Sequence, residues 1–367
     1  MTIPAVNLKP ALQATEAAWR ARLDELFHRM QFILGEQLAS FEREFAAALG
    51  SRFAIGAGSG TSAIELSLRH AGIVRSNQEV LTTPLTAPFT GIGILGAGAS
   101  IRFADIDPDT LLLDPAKAAA RITKRTAALL PVHLYGQPCP LDQFSRLAKD
   151  AGAELLQDAC QAHGARYRGR PLTAYSRYVA YSFYPTKNLG CLGDGGAVAT
   201  NSATVDRGLR LLRDGGRRND QLSRIAGANS RLDEMQCCYL RAFLPKLEEW
   251  NAWRARIAAL YDDLLRDCPG VRLLKRWPCS VHHLYVIRVK RRERLRAHLA
   301  AQGIGTGAHY PVPLHLHPAF AGSGARRGDL PEAERAAREV LSLPLWPYLP
   351  PRDAIRVAET IRSFFAP

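Results

Sequence analysis

Residues 178–196 read YVAYSFYPTKNLGCLGDGG, and the rest of the chain is best interpreted outward from this stretch. Its first seven residues alternate aromatic and small side chains, a pattern that favours a buried strand. Pro185 ends the run, because proline cannot continue the ladder of a central strand. Lys187 follows in a turn rich in glycines, which tolerate positive φ and the close approach of other backbone.

Lysine is rare in this chain, since eight of its 48 basic residues are lysine and the others are arginine. Lys187, at a strand end among glycines and hydroxyls, therefore stands out. Arginine supplies charge, whereas a deprotonated lysine amine can also form a Schiff base. The other interpretation is a surface lysine on a loop, the commoner fate of this residue type. The segment alone leaves both open.

The 367 residues suit one large and one smaller domain. We place the boundary near Asn251, where two predicted helices, at 230–250 and 252–266, meet, and this gives domains of residues 1–250 and 251–367. No apolar run approaches the roughly 18 residues of a membrane span. The first 25 residues lack the apolar core of a secretory signal. The seven cysteines show no paired metal spacing, so we expect free thiols in the cytoplasm and no metal.

The formal net charge of +14 would attract nucleic acid or anionic small molecules. No zinc-finger or RNA-binding signature is present, so we do not expect a nucleic-acid partner. A substrate that carries a diphosphate would also be drawn by this charge.

Between residues 52 and 200 the chain alternates predicted strands and helices. The strands are expected at 52–55, 79–82, 100–105, 127–134, 153–158 and 178–184, and the helices begin near residues 62, 90, 115 and 141. This alternation predicts an α/β fold with a mostly parallel sheet and helices on both faces. Ligands of such sheets bind at the carboxyl ends of strands, where Asp158, Lys187 and residues 58–61 all fall.

A glycine-rich turn, GAGSGTS at residues 56–62, joins the first strand to a helix. Free backbone N–H groups and the positive end of the helix dipole make such a turn a natural phosphate site. It matches neither the dinucleotide fingerprint nor a P-loop. A tight turn with a serine or threonine cap is the alternative interpretation.

Asp158 ends an apolar strand in the run ELLQDACQAHGA, residues 154–165. A buried carboxylate is costly unless it meets a cation or several donors. A protonated pyridine nitrogen is such a partner, and pyridoxal phosphate needs an acid there, a lysine for its aldehyde and a phosphate cup. Asp158, Lys187 and the Gly60–Thr61 turn supply one of each, and Ser182 can add a hydroxyl to the phosphate. A helix cap would also explain Asp158, but not the lysine.

With these motifs in place, the chain resembles the DegT/DnrJ/EryC1/StrS aminotransferases, which act on keto sugars. The resemblance covers nearly the whole chain. Its motifs are Gly35 with FEREFA after it, Ser59-Gly60-Thr61, VHLYG at 132–136, DACQAHGA at 158–165, SFYPTKNLG at 182–190, GANSRLDEMQ at 227–236 and AHYPVPLH at 308–315. The resemblance implies the aspartate-aminotransferase fold (fold type I), with a smaller α+β C-terminal domain, and a homodimer with shared active sites.

By position, the resemblance makes Lys187 the Schiff-base lysine, Asp158 the partner of the pyridine nitrogen and Gln161 a contact on the ring-hydroxyl side. The implied phosphate cup consists of Gly60, Thr61 and Ser182.

Asn229 matches an asparagine that reaches the phosphate of the neighbouring subunit, and His309 and Tyr310 match a segment that lines the substrate pocket. One departure is Ala87, where the family usually has an aromatic residue stacked on the cofactor ring; Phe89 is the candidate to replace it, or stacking is absent. Neutral, hydrogen-bonded histidines are common, so a structural role stays open for each histidine of these motifs. These are His163, His309, His315 and His317.

The implied reaction moves an amino group, with glutamate as the expected donor, to a nucleotide-linked 3- or 4-keto-6-deoxyhexose. Lys187 would act as general base and acid. Relatives that remove a sugar hydroxyl can carry histidine at this position, so the lysine favours transamination. The alternatives are a cofactor-dependent sugar dehydratase, an aminotransferase for a cyclitol ketone and a non-catalytic regulator.

Overall fold

The computed structural model describes residues 2–217 and 222–366. The strands are β1 (Phe53–Ala57), β2 (Glu79–Thr82), β3 (Ser100–Phe103), β4 (Thr126–Leu130), β5 (Glu154–Asp158), β6 (Arg166–Tyr167), β7 (Arg170–Pro171), β8 (Tyr178–Ser182), β9 (Gly196–Thr200), β10 (Val271–Leu273), β11 (Tyr285–Val289) and β12 (Val340–Leu343). The helices are α1 (Lys9–Ala14), α2 (Glu16–Arg29), α3 (Glu36–Leu49), α4 (Gly60–His70), α5 (Pro88–Gly96), α6 (Pro115–Ala119), α7 (Leu141–Ala151), α8 (Ala203–Arg213), α9 (Glu234–Phe243), α10 (Leu247–Leu265), α11 (Arg292–Ala301), α12 (Pro331–Glu339) and α13 (Pro351–Phe365).

The main sheet has the strand order β1-β9-β8-β5-β4-β2-β3 in the described part of the chain. The pairs β2–β3, β2–β4, β4–β5 and β5–β8 are parallel, whereas β9 runs antiparallel to both of its neighbours, β1 and β8. The prediction of a mostly parallel sheet is confirmed. Strand β9 was not predicted, because its sequence GAVAT is short, follows glycines and lacks the aromatic residues that mark β8.

The alternation in β8 arises because both faces of this strand are covered. Tyr178 and Ala180 belong to one apolar cluster, and Val179 and Tyr181 belong to the cluster on the opposite face. Successive side chains of a strand point to opposite faces, so each residue of β8 enters one of two cores. These cores pack helices against both sides of the sheet, as predicted.

A third apolar cluster lies in the C-terminal part of the chain. It is built on the antiparallel sheet β10–β11–β12 and on α10, α11 and α13, with Tyr261 and Tyr285 among its fully buried members. Ile3 joins it and pairs with Ile304, so the first residues pack with the C-terminal part.

Helix α10 continues through Asn251, where the sequence suggested that two helices meet. The break lies earlier, in a short 3₁₀ turn at Leu244–Lys246 between α9 and α10. Pro245 accounts for this position, because proline disrupts the interior of an α-helix. A single helix therefore connects the main sheet to the third cluster.

In the part of the chain that the structure describes, no helix combines the length and the apolar character that crossing a membrane requires.

Candidate active site

Three strand ends meet at one edge of the main sheet. Strand β1 is antiparallel to β9, which is antiparallel to β8, so β1, β5 and β8 all run in the same direction. Their carboxyl ends carry the turn before α4, Asp158 and Ser182. The fold therefore brings together the three chain segments that the sequence analysis selected, at the edge where such sheets bind ligands.

Asp158 is 4% exposed, and both of its carboxylate oxygens are hydrogen-bonded. The hydroxyl of Thr90 donates to Oδ2 over 2.8 Å, and the backbone N–H of Cys160 donates to Oδ1 over 3.0 Å. Carboxylate oxygens have further lone pairs, so Asp158 can still accept a proton donor from the cavity. The acid is held in one orientation by two different chain segments.

Lys187 is half-buried in a turn in which its N–H donates to the carbonyl oxygen of Tyr184 over 2.9 Å. The turn needs glycine at position 190, because a Cβ there would lie 2.5 Å from the carbonyl oxygen of Pro185. Among the described residues, Nζ of Lys187 has neither a hydrogen bond nor an ion-pair partner. The amine is therefore available to a ligand.

Burial lowers the pKa of Lys187, and the negative charge of Asp158 opposes this shift. The amine therefore lies close enough to Asp158 for their charges to interact. The two residues also follow the neighbouring strands β8 and β5, whose carboxyl ends lie at the same edge of the main sheet.

The start of α4 forms the next part of the site. Ser59 caps the helix by accepting the N–H of Ser62 over 3.1 Å. The first N–H groups of a helix have no acceptor within it, and those of Gly60 and Thr61 find none among residues 2–217 and 222–366, so they can bind an anion. A Cβ at position 60 would lie 2.7 Å from Cβ of Ser182 and 2.8 Å from Sγ of Cys160. The turn before α4, which contains Gly60, thus packs directly on the end of β8.

Gln161 connects this cavity to the C-terminal part of the chain. Its Oε1 accepts the N–H of Tyr135 over 2.7 Å, and its Nε2 donates to the hydroxyl oxygen of Tyr310 over 3.0 Å. The hydroxyl of Tyr135 in turn donates to the carbonyl oxygen of His309, whose Nδ1 lies 2.8 Å from Oγ of Ser342. His309 and Tyr310, predicted to line the substrate pocket, are thereby fixed beside Gln161.

Tyr135 has φ of 59°, in the left-handed region that non-glycine residues seldom adopt. Such strain persists only where the surroundings hold it. Here its N–H and its hydroxyl tie it to Gln161 and His309, and its carbonyl oxygen accepts the N–H of His283.

His163 is fully buried, and its Nε2 lies 2.8 Å from the carbonyl oxygen of Ser182. Burial, together with the charge of Lys187, lowers its pKa to about 3. It is therefore neutral at pH 7 and supports the backbone of β8. Nε2 of His315 lies 3.1 Å from Oε1 of Glu334, and Nε2 of His317 lies 3.2 Å from the carbonyl oxygen of Val312. The structural interpretation suits these three histidines.

Two predicted cofactor contacts lie at the surface. Phe89, in the first turn of α5, is 59% exposed and makes no aromatic contact with a described residue, while Ala87 is half-buried. Asn229 is exposed, and its backbone pairs with Asp214. The next residue, Ser230, accepts the N–H of Gly58 over 3.0 Å, so Asn229 lies near the phosphate turn of its own chain. Both assignments stay predictions.

The site fits pyridoxal phosphate. It has a primary amine, a fixed carboxylate and a helix start at the same edge of the main sheet. These are the three groups that the cofactor needs, for its aldehyde, its ring nitrogen and its phosphate.

Four residues of this arrangement were not selected as site residues from the sequence. They are Thr90, Tyr135 and the pair Asn188 and His283, which are joined next to Lys187 through Oδ1 of Asn188 and Nδ1 of His283. Tyr135 lay within the VHLYG motif, and Asn188 directly follows the lysine. Thr90 could have been found as a hydroxyl in the first turn after a strand. His283 had no sequence signal, because almost a hundred residues separate it from Lys187.

A model of the DegT/DnrJ/EryC1/StrS aminotransferase family matches residues 13–362. The chain is 43% identical, over 99% of its length and 96% of the relative, to the dTDP-3-amino-3,4,6-trideoxy-alpha-D-glucose transaminase of Streptomyces venezuelae.

Two solved structures have the same fold over the whole chain. The crystal structure of S. venezuelae DesV in complex with a ketimine intermediate superposes with a TM-score of 0.97 and 42% identity, covering 100% of this chain and 99% of that one. The structure of NtdA from Bacillus subtilis with bound cofactor PMP gives a TM-score of 0.91 and 26% identity, covering 99% and 85%.

Proposed function

Because this chain belongs to the DegT/DnrJ/EryC1/StrS aminotransferase family, we propose that it transfers an amino group from glutamate to a keto sugar carried on a nucleotide. The observation that supports the proposal is the proximity of Lys187 to Asp158 at the edge of the main sheet where the Gly60 turn begins α4. The proposed acceptor is a 3- or 4-keto-6-deoxyhexose.

Aminotransferases of this family depend on pyridoxal phosphate, which supplies, when bound, an aldehyde to carry the amino group and a ring that accepts electrons. Asp158 would hold the ring nitrogen, Gln161 the hydroxyl side, and Gly60, Thr61 and Ser182 the phosphate. Phe89 is proposed to cover one face of the ring in place of the aromatic residue that is missing at Ala87.

Lys187 is the proposed proton carrier. When its amine is free, Nζ can accept a proton from the substrate carbon and then donate it to a different carbon. The amine thus acts first as a base and then as an acid. Burial lowers the pKa of Lys187, so a larger share of the amine is neutral and able to act as a base at a given pH. A general base whose pKa lies nearer the working pH is the more effective one.

The nucleotide-linked sugar is proposed from the relatives, because the S. venezuelae transaminase is named for a dTDP-linked amino sugar. His309 and Tyr310 are proposed to line the entry for such a sugar, and both are held by residues of the segments that follow β4 and β5. The net charge of +14 would favour a diphosphate-bearing substrate.

We further propose a homodimer in which Asn229 reaches the phosphate of the neighbouring site. Five large apolar residues, at the end of α2 and in the segment before α3, are exposed by 37–69% in the single chain: Phe27, Met30, Phe32, Ile33 and Leu34. Apolar patches of this kind mark protein interfaces, and most homo-oligomers are two-fold dimers.

The division into residues 1–250 and 251–367 is retained as a proposal, with the first residues packing on the second part. A cytoplasmic location is proposed because all seven cysteines, which lie within the described residues, are free.

The decisive experiment is a half-reaction. The purified protein should be yellow and should lose that absorbance when glutamate is added. Keto sugars made in situ should then be converted to products with the mass of the amino sugar. A wild-type protein that no amino donor bleaches would refute transamination, and loss of water without gain of nitrogen would indicate the dehydratase instead.

A further inference from the structure

Asn188, the residue after Lys187, joins three separate parts of the chain through one side chain. It is 2% exposed. Its Nδ2 donates to Oδ1 of Asn251 and to the carbonyl oxygen of Val281, each over 2.8 Å, and its Oδ1 lies 3.1 Å from Nδ1 of His283. The turn that carries the lysine is thereby attached to α10 and to the segment before β11.

The partners of Asn188 make further hydrogen bonds to other residues around the site. Nδ2 of Asn251 donates to the carbonyl oxygen of His163 over 2.9 Å, and Arg254, one turn further along α10, donates to the carbonyl oxygen of His283 over 3.3 Å. The N–H of His283 donates to the carbonyl oxygen of Tyr135 over 2.8 Å. Replacing Asn188 would therefore weaken a network of hydrogen bonds that includes Asn251 and His283, and not only a single bond.

Asn188 also decides which nitrogen of His283 carries the proton. Because Nδ2 of Asn188 already donates twice, the atom that faces His283 is the oxygen, which can only accept. Nδ1 of His283 must therefore carry hydrogen, and neutral imidazole then has its lone pair on Nε2.

His283 stands in strongly positive surroundings. Its burial, followed by the charges of Lys187 and Arg254, holds its pKa well below the usual value. The rings of His163 and His309 also face it. A protonated His283 would add a further positive charge beside the lysine. The facing group of opposite sign around Lys187 is Asp158, because burial raises the pKa of the Cys160 thiol and keeps it uncharged.

We propose that Asn188 is a positioning residue, which ties the turn of Lys187 to residues 281–283 and holds His283 in its neutral Nδ1–H form beside the lysine. This inference rests on the proposed role of Lys187 and extends it. Asn188 anchors both the turn and the imidazole of His283. The anchored turn keeps Lys187 in place, and the neutral imidazole leaves the pKa of Lys187 low.

The test measures the amine in the protein freed of cofactor. Lys187 is acetylated with acetic anhydride across a pH series, and the modified peptide is quantified by mass spectrometry. Asn188→Ala should hydrate the turn and raise the pKa of Lys187, and Asn188→Asp should raise it further by adding a negative charge. We expect Lys187 to react about tenfold more slowly at pH 8 in Asn188→Asp, the effect of a shift of one pKa unit.

The matched control is Gln37→Ala, which removes another buried amide, 2% exposed, whose side chain binds Glu25 and Arg241 away from the site. It should lower Tm without changing the acetylation of Lys187. Should Asn188→Ala be too unstable to purify, Asn188→Ser keeps a hydroxyl at the junction and is measured instead.

Acetylation profiles that coincide for wild type, both Asn188 variants and Gln37→Ala would overturn the proposal and leave Asn188 a purely structural residue. The readout needs neither cofactor nor substrate. A failure of the glutamate half-reaction would therefore count against the proposed function alone, and unchanged acetylation would count against the role of Asn188 alone.

Discussion

The hydroxyl of Thr90 donates a 2.8 Å hydrogen bond to Oδ2 of Asp158, although 68 residues separate the two along the chain. This bond fixes the first turn of α5 against the carboxyl end of β5. It also orients the carboxylate, because the N–H of Cys160 occupies the other oxygen. The acid that would hold the cofactor ring is thus aimed by a residue from a different βα unit.

Thr90→Val should weaken cofactor binding by roughly tenfold, because the isosteric valine leaves a buried carboxylate oxygen without its donor, a loss of about 1.4 kcal/mol. Titration of the apoprotein with pyridoxal phosphate, followed by absorbance, measures this. Thr90→Ser keeps the hydroxyl and should bind almost as tightly as wild type. If Thr90→Val and wild type bound pyridoxal phosphate with equal affinity, the hydrogen bond from Thr90 to Asp158 would not contribute to cofactor binding.

Lys187→Arg should abolish both the bleaching by glutamate and turnover, with a loss on the order of 10³-fold or more, because arginine keeps the charge but offers no amine for proton transfer. Lys187→Ala should behave alike. Absorbance spectra with and without glutamate, and the mass of the borohydride-reduced protein, report the lost linkage. A Lys187→Arg protein that glutamate still bleaches would contradict the assignment of this lysine.

Subunit mixing tests the shared active site. If Asn229 serves the neighbouring subunit, Lys187→Ala and Asn229→Ala chains should complement each other, since each mixed dimer has one site with both residues intact. Random reassortment makes half of the dimers mixed, so about a quarter of wild-type activity should return. Mixing after each dimer has been cross-linked is the control. Activity that stays at the sum of the two separate variants would place Asn229 in its own site or in none.

His133 should make stability fall in acid. Its Nδ1 accepts the N–H of Cys139 over 3.0 Å, and its Nε2 lies 2.9 Å from Oε1 of Gln157, so the neutral ring is fully bonded. Burial lowers its pKa to about 4. Between about pH 6.5 and 4, His133 is therefore protonated in the unfolded chain and neutral in the folded chain. For each unit by which the pH falls in this range, the free energy of unfolding should drop by about 1.4 kcal/mol because of this group.

His133→Asn removes this titration while Oδ1 can still accept from Cys139. Urea unfolding at several pH values should show a shallower fall for this variant than for wild type. His28→Asn, at an exposed position of α2, is the control and should leave the slope unchanged. Equal slopes for wild type and His133→Asn would exclude His133 as a source of the acid sensitivity.

Glu234 caps α3 from a distant helix. Its carboxylate accepts the N–H groups of Gly35, Gln37 and Leu38 over 2.8, 2.8 and 3.0 Å, and the residue is 1% exposed. Glu234→Gln should lower the free energy of unfolding by about 1–3 kcal/mol, because it removes a charged acceptor at the positive end of the helix dipole. Urea unfolding measures this, with Glu248→Gln as an exposed control expected to change little. A neutral effect of Glu234→Gln would mean that the cap contributes no stability.

The sequence predicted most of the main sheet because its parallel strands are short apolar runs closed by turn residues. Asp158 and Lys187 could be proposed as site residues because cofactor chemistry demands their residue types at strand ends. The connection of Tyr135 to His309 could not be predicted, since it joins residues 174 positions apart. The break before α10 was predicted at Asn251, although Pro245 marks its position in the sequence.

Helix α10 is one rod of 19 residues, about 28 Å long, that starts beside the main sheet and ends in the third apolar cluster. Asn251 near its first turn contacts the turn of Lys187, and Leu265 at its far end is fully buried. The placement of the turn that carries Lys187 therefore depends on how the far end of α10 packs in the third apolar cluster, about 28 Å away.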